Sequence, residues 1–367
     1  MKYYIIAGER SGDLHAGNLI KAIKENDPDS SFRGFGGDHM EANGVVITRH
    51  YRDLAFMGFL EVLLNLRKIA GFLREAKHDI LEFKPDVVIL VDYGGFNLKI
   101  AKYLKRKGVK AYYYITPKVW AWNQGRAKKI KALIDKMFVI LPFEKTFYKK
   151  FDWDVDYVGN PVLDAIKDYN YKEIHFNNNG KEIVAVLPGS RKQEVVNVIQ
   201  TIKEVVTANQ NIHFVVAKVS NLSSSLYFDL NDLENVEFVE GNTYELLMAS
   251  KAAIVTSGTA TLETALLKVP QVVVYKTSKI SYKIAKSLIR VNYISLVNLI
   301  PDKPVVKELI QGDFNSNQIN SELNNLINDI DYRQRIINEY NEIENLLDVG
   351  SASQNTAKLM VKYLKNS

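Results

Sequence analysis

Four short stretches of the chain crowd together residues able to do chemistry. The first, Gly8-Glu9-Arg10-Ser11-Gly12-Asp13-Leu14-His15, combines glycines that allow close backbone approach with Ser11 and Asp13, which are natural helix caps. A helix start needs a single cap. The excess of Glu9, Arg10, Asp13 and His15 therefore fits a ligand-facing loop as well as a turn. Its spacing is not GxGxxG, which argues against a dinucleotide fingerprint. The second stretch, Asp92-Tyr93-Gly94-Gly95-Phe96-Asn97, sets a carboxylate directly after an apolar run and beside glycines that open the backbone. Such an aspartate is either a general base or the cap of the next helix.

The third and fourth stretches suit an anion. In Leu187-Pro188-Gly189-Ser190-Arg191, amides of a Gly-Ser turn can cradle a phosphate and Arg191 adds a fixed charge able to bind it bidentately. In Thr256-Ser257-Gly258-Thr259-Ala260-Thr261-Leu262-Glu263, small residues let the chain turn tightly into a helix whose free N–H groups form a diphosphate site. Glu263, further along that helix, is within reach of ribose hydroxyls. A capped core helix is the plain alternative, yet it leaves the run of small polar residues before an acid unexplained.

The elements that must position these stretches follow from the apolar runs. Residues 3 to 7, 86 to 91, 110 to 115 and 136 to 141 read as strands separated by helix-length segments, the pattern of βαβ units and a parallel sheet. Runs such as Asp86-Val87-Val88-Ile89-Leu90-Val91 lack polar alternation, which suits strands covered on both faces. A polar stretch from Lys167 to Gly180 interrupts the rhythm, which then restarts with strand-like runs at 183 to 187, 213 to 217, 236 to 239, 252 to 256 and 271 to 275. From about 315 onward the chain reads as helical. The fold class is therefore α/β, with two doubly wound, Rossmann-like domains, a cleft between them and a helical C-terminal tail, the outline of the GT-B architecture. The expected domains are residues 1–166, completed by a C-terminal helix over 350–367, and residues 167–349. Each site stretch lies in a loop after a strand, where open α/β sheets bind ligands.

Composition narrows the function. At 367 residues the chain exceeds the size at which one core keeps growing, and 47% apolar with 25% charged residues is ordinary globular usage. No cysteine is present and the six histidines show no HxxxH or HxH spacing, so thiol chemistry is excluded and a zinc site is not expected. A net charge of +6 suits an anionic partner. Asp154-Val155-Asp156 resembles a metal-binding DxD, but its flanks read as a short strand. The segment 56–73 has too many apolar positions for one amphipathic stripe, so it is either a largely buried helix or one whose extra face meets lipid, with Arg67, Lys68 and Arg74 at the headgroups. Arg126, Lys128, Lys129 and Lys131 follow Trp120-Ala121-Trp122, but no nucleic-acid-binding module accompanies them, so nucleic acid is not an expected partner.

Taken together, AGERSGD at 7–13, LAFMGFLEVL at 54–63, TPKVWAWNQGR at 116–126, LPFEKTFY at 141–148, VGNPVLDA at 158–165, LPGSRKQEV at 187–195, SGTATLE at 257–263 and YISLVNLI at 293–300 resemble the lipid-A-disaccharide synthase family. The resemblance spans nearly the whole chain and implies an inverting GT-B glycosyltransferase without cofactor or catalytic metal. The implied reaction moves 2,3-diacylglucosamine from UDP-2,3-diacylglucosamine to 2,3-diacylglucosamine 1-phosphate (lipid X), giving the β-1,6 disaccharide 1-phosphate and UDP. Implied donor contacts are Gly189, Ser190, Arg191, Ser257, Gly258, Thr259, Glu263 and Asn298. Implied acceptor and lipid contacts are Ser11, Phe56, Met57, Phe59, Leu63, Trp120, Trp122 and Arg126. A cytoplasmic protein held peripherally on the anionic inner face of the inner membrane follows, and a homodimer is compatible with it. Many members carry DAPDFN where this chain has Asp92-Tyr93-Gly94-Gly95-Phe96-Asn97, so Gly95 removes one acidic candidate. Asp92 is then the first expectation for the catalytic base, with Asp13 and Glu9 behind it.

Overall fold

The computed structural model describes residues 1–54 and 66–366. Contacts divide it into two compact units, residues 1–161 with 347–367 and residues 162–346. The expectations placed on Phe56, Met57, Phe59 and Leu63 lie outside the described residues. Of the 56–73 segment, the described part opens a helix, Leu66–Phe83, on which Leu73 is buried while Arg67, Lys68 and Arg74 are exposed.

The first unit is built on β1 (Lys2–Ala7), β2 (Ser31–Gly36), β3 (Val46–His50), β4 (Val87–Val91), β5 (Ala111–Tyr114), β6 (Lys136–Val139) and β7 (Asp156–Tyr157). All pair in parallel in the order β3-β2-β1-β4-β5-β6-β7. The second unit uses β8 (Glu182–Leu187), β9 (Ile212–Lys218), β10 (Val236–Glu240), β11 (Ala252–Thr256), β12 (Gln271–Tyr275) and β13 (Glu308–Ile310), again parallel, in the order β10-β9-β8-β11-β12-β13. Each sheet thus runs outward in both directions from a central pair, β1 beside β4 and β8 beside β11, which is the doubly wound arrangement.

The long apolar runs are the central strands, for the reason their composition suggests. Every residue of β4 is buried, as are all of β11 and all but the first residue of β1, because helices cover both faces. Strands without such runs escape a reading by apolar stretches: β3 lies at a sheet edge with no fully buried residue, and β13 is three residues long. Helices supply the cover through one apolar stripe. On Lys192–Ala208 the buried residues Val195, Val198, Ile199, Ile202, Val205 and Val206 recur at helical spacing.

The last helix, Ala352–Lys365, belongs to the first unit. Its Ala357, Met360, Val361 and Leu364 join the core formed by β1, β4 and the helix Arg10–Asn26, and Asn355 Nδ2 donates to the Val158 carbonyl at 3.1 Å. The chain end therefore completes a core whose other members lie at its beginning. Met360 is fully buried there, so Met360→Ala should destabilise the first unit by about 2–5 kcal/mol. Urea unfolding followed by tryptophan fluorescence measures this directly, since all three tryptophans lie in that unit. A midpoint equal to that of the unaltered protein would show that the helix is dispensable to this core.

Candidate active site

The four stretches picked out by residue type emerge from the four central strands. In the first unit Ala7 pairs with Val91, so the loops after β1 and β4 leave the sheet side by side. In the second, Leu187 pairs with Val255, so the loops after β8 and β11 do the same. These are the places where the strand order reverses and flanking helices diverge, which opens a crevice at the carboxyl ends of the strands.

In the first unit the two loops interlock. A Cβ on Gly8 would sit 2.3 Å from the Tyr93 ring, so only glycine lets that ring lie over the loop after β1. Asp92 and Tyr93 both adopt left-handed backbone conformations, with φ of +46° and +47°, a costly state for residues other than glycine. They are held there from both sides. Tyr113 Oη donates to the Asp92 carbonyl at 2.6 Å, and Asn97 Nδ2 donates to the same oxygen at 2.8 Å. Burial raises the Asp92 carboxyl above its ordinary pKa, while the Tyr93 N–H and the charge of Lys118 pull it back. Glu9 is half-buried at the start of the helix Arg10–Asn26, and Ser11 is exposed. Gly95 is exposed, and a Cβ there would meet nothing within 4 Å.

Asp13 turns out to be an internal clamp. It is fully buried, and its carboxylate accepts from the N–H groups of Gly37 at 2.7 Å, His39 at 2.9 Å and Met40 at 3.2 Å. Both oxygens are thereby engaged in holding the loop after β2.

Trp120 likewise differs from expectation. It is buried, packs edge-on to Phe143 at 4.9 Å and donates Nε1–H to Glu144 Oε1 at 3.2 Å, so it faces the interior rather than an acyl chain. Trp122 is 47% exposed and Arg126 half-buried, both in positions a ligand can reach. Glu144 itself was not singled out by residue type. It sits in the first turn of the helix Pro142–Lys149, where its carboxylate reaches back to the Leu141 N–H as the glutamate of a capping box does, and it is buried. Its carboxylate accepts from Thr116 Oγ1, Trp120 Nε1 and the N–H groups of Ile140 and Leu141. Asp156 of the DxD triplet accepts from Tyr363 Oη at 3.1 Å, and among the described residues no cluster able to hold a metal ion occurs.

In the second unit the loop after β8 also differs from the simple phosphate cradle. Gly189, at φ +115°, turns the chain so that Glu194 Oε2 accepts from the N–H groups of Ser190 at 3.0 Å and Arg191 at 3.2 Å. An internal carboxylate therefore takes the Ser190 amide of the Gly-Ser turn expected to meet phosphate, together with the amide of Arg191. Arg191 gives Nη1–H to Glu194 Oε1 at 3.1 Å, and its side chain is 65% exposed. The loop after β11 is more open. Gly258 and Thr259 are exposed, and the N–H groups of Gly258, Thr259 and Ala260 make no hydrogen bond among the described residues. Ser257 Oγ ties this loop to the Ile294 carbonyl at 3.0 Å. Glu263 is half-buried, with its pKa raised by burial and partly lowered by a hydrogen bond from Tyr244. Asn298, expected at the donor, is instead 1% exposed with its amide fully engaged: Nδ2 donates to the Val306 carbonyl and Glu308 Oε1, and Oδ1 accepts from Val306 N–H. It fastens the loop that Ser257 touches rather than a ligand.

Burial pushes the Glu144 carboxyl up to about 7 against the donors that favour its charge. With the folded value above the unfolded one, the protonated group stabilises the fold fully below about pH 4.5, and that contribution is lost as pH rises through about 7. Urea midpoints across pH 4 to 8 should accordingly fall more steeply for the unaltered protein than for Glu144→Gln. Parallel pH profiles would show that Glu144 titrates as in water.

Comparison with known proteins gives a consistent pattern. The profile of the lipid-A-disaccharide synthetase family matches residues 3–362. The lipid-A-disaccharide synthase of Syntrophus aciditrophicus (strain SB) is 37% identical over 374 residues, covering 99% of this chain and 98% of that protein. Among solved structures, UDP-GlcNAc 2-epimerase from Neisseria meningitidis, bound to UDP-GlcNAc, aligns with a TM-score of 0.63 at 15% identity over 100% of both chains. A calicheamicin glycosyltransferase aligns with a TM-score of 0.65 at 14% identity, covering 100% of this chain and 98% of the other. These last two likenesses are of fold, the α/β GT-B architecture.

Proposed function

The chain belongs to the lipid-A-disaccharide synthase family, and on that premise we propose which of its residues carry out the glycosyl transfer. The enzyme is a glycosyltransferase of lipid A synthesis. In the family's reaction an acceptor hydroxyl attacks the anomeric carbon of a UDP-linked diacylglucosamine from the face opposite UDP. The new C–O bond forms as the bond to the diphosphate breaks, the hydroxyl proton passes to a base, and the diphosphate leaves with the bonding pair.

The observation that carries the assignment is Asp92, an aspartate in a strained backbone conformation at the strand-order reversal of the first unit. Strain of this kind is stored where surrounding structure over-determines it, and here Tyr113, Asn97 and the Gly8 contact do so. Asp92 is the general base, and the burial that raises its pKa makes it a stronger one near neutral pH. Glu9, on the neighbouring loop, is the second candidate. Asp13 supports the loops from within.

UDP binds the second unit. The unengaged amides of Gly258, Thr259 and Ala260 receive the diphosphate at the start of the helix Thr259–Leu266. Arg191 swings from Glu194 to neutralise the charge that develops on the leaving group, and Glu263 accepts from the ribose hydroxyls. The acceptor, lipid X, binds the first unit near Ser11, Trp122 and Arg126.

Both substrates carry acyl chains and must be drawn from a bilayer. No helix among the described residues is long and apolar enough to cross one. A peripheral contact with anionic lipid through Trp122, Lys118, Lys128 and Lys129, all exposed, supplies access.

Asp92→Asn should lower kcat by about 100- to 10,000-fold with UDP affinity nearly unchanged. Arg191→Ala should weaken donor-dependent steps by about 1.5–3 kcal/mol, because a charged partner of the diphosphate is lost. Steady-state UDP release and UDP titration measure both. An active Asp92→Asn beside an inactive Glu9→Gln that still binds UDP would move the base to the loop after β1.

For the membrane surface, Trp122→Ala combined with Lys128→Glu and Lys129→Glu should reduce co-sedimentation with phosphatidylglycerol vesicles, each reversed lysine removing about 1 kcal/mol of attraction. Binding that survives these changes and high salt would place the lipid surface elsewhere.

A further inference from the structure

Tyr244 lies in none of the four loops. It sits at the start of the helix Thr243–Ala249, which follows β10, and its phenol O–H donates to Glu263 Oε1 at 2.9 Å. Glu263 Oε2 makes no hydrogen bond among the described residues. One oxygen of this carboxylate is thus anchored by the protein and the other is left to a ligand.

The anchor is itself held in place. The Tyr244 ring packs edge-on against Tyr169, with centroids 4.8 Å apart, and Tyr169 packs in turn against Tyr171 at 4.9 Å. Tyr169 Oη donates to both carboxylate oxygens of Glu245, at 2.9 and 3.1 Å, and Lys172 N–H adds a third bond to that buried side chain. The residue after Tyr244 is therefore clamped by the same segment that packs edge-on against its ring. The phenol stays a donor, because burial and then the charge of Glu263 push its pKa well above the ordinary value.

This arrangement matters for what Glu263 can recognise. The last torsion of a glutamate is broad and two-fold, so an unanchored carboxylate samples many orientations. Anchoring Oε1 holds Oε2 in one orientation, free to accept from a hydroxyl of a ligand. A ligand lacking a hydroxyl there leaves a partly buried charge unpaired, which is the strongest basis for discriminating substrates by a single group.

We propose that Tyr244 is a positioning residue that sets the ribose specificity of the donor site by orienting Glu263. This rests on the reading that Glu263 meets the donor ribose. Titration of the full-length protein with UDP and with 2′-deoxy-UDP tests it, alongside kcat and KM for the donor. The unaltered protein should prefer UDP. Tyr244→Phe keeps the ring packed edge-on against Tyr169 and removes only the hydroxyl, so it should weaken UDP binding about tenfold, bring the two affinities together and raise donor KM while leaving kcat. A Tyr244→Phe variant that keeps the preference for UDP, whether or not both affinities fall, overturns the proposal. Glu263→Gln separates the two levels. If Glu263→Gln abolishes the preference and Tyr244→Phe does not, only the role of Tyr244 falls. If Glu263→Gln leaves UDP affinity and preference intact, the ribose assignment of Glu263 falls with it.

Discussion

Parallel pairing outward from a central pair of strands is the constraint on which the rest of the molecule depends. Parallel strands need crossover connections, and those connections are right-handed. When winding proceeds in opposite directions from β1 and β4, or from β8 and β11, successive helices fall on opposite faces of the sheet. The loops at the carboxyl ends of the central pair then part from each other instead of packing together. Every stretch that residue type marks as chemical leaves from one of those strands.

Open loops need internal support, and the chain provides it with carboxylates bonded to backbone amides. Asp13 clamps the loop after β2, Glu144 joins residues 116–120 to the turn at 140–141, Glu194 closes the turn at 190–191, and Glu308 accepts from Ile294 and Ser295 N–H and from Asn298. A charge-assisted bond to a backbone amide is stronger than a neutral one and satisfies a donor that a loop would otherwise leave to water. The same geometry limits what those groups can do. A carboxylate that already accepts from three or four donors has at most one lone pair left for a substrate. Residues available for chemistry are the ones left with unengaged atoms, such as Asp92 in its strained turn, the far oxygen of Glu263 and the guanidinium of Arg191.

The residues that read plainly in the chain are those whose signal is local. Unbroken apolar runs mark β1, β4, β8 and β11, because a strand covered on both faces must be apolar throughout, and the loops that follow contain glycine, small polar and charged residues in excess of what a turn requires. From these the α/β class, the GT-B outline and the four candidate loops were legible. The edge strands β3 and β13 were not, since β3 has no fully buried residue and β13 is too short to show a pattern, whereas the edge strand β10 was read from its apolar run.

Only the tertiary structure decided which charged residues in those loops face inward. Asp13 and Glu9 sit four residues apart in one motif, yet one is fully buried under three amides of the loop after β2, distant in sequence, and the other is half-buried at the helix start. Glu194 lies in a motif whose amides suggest an anion, and folding supplies the anion from within. Tyr244 carries no motif; what gives it a task is a carboxylate nineteen positions away. Composition and spacing determine which groups share a loop. Which of their lone pairs remain free depends on partners that arrive from elsewhere in the fold, and hydrogen bonding is short-ranged in space rather than in sequence.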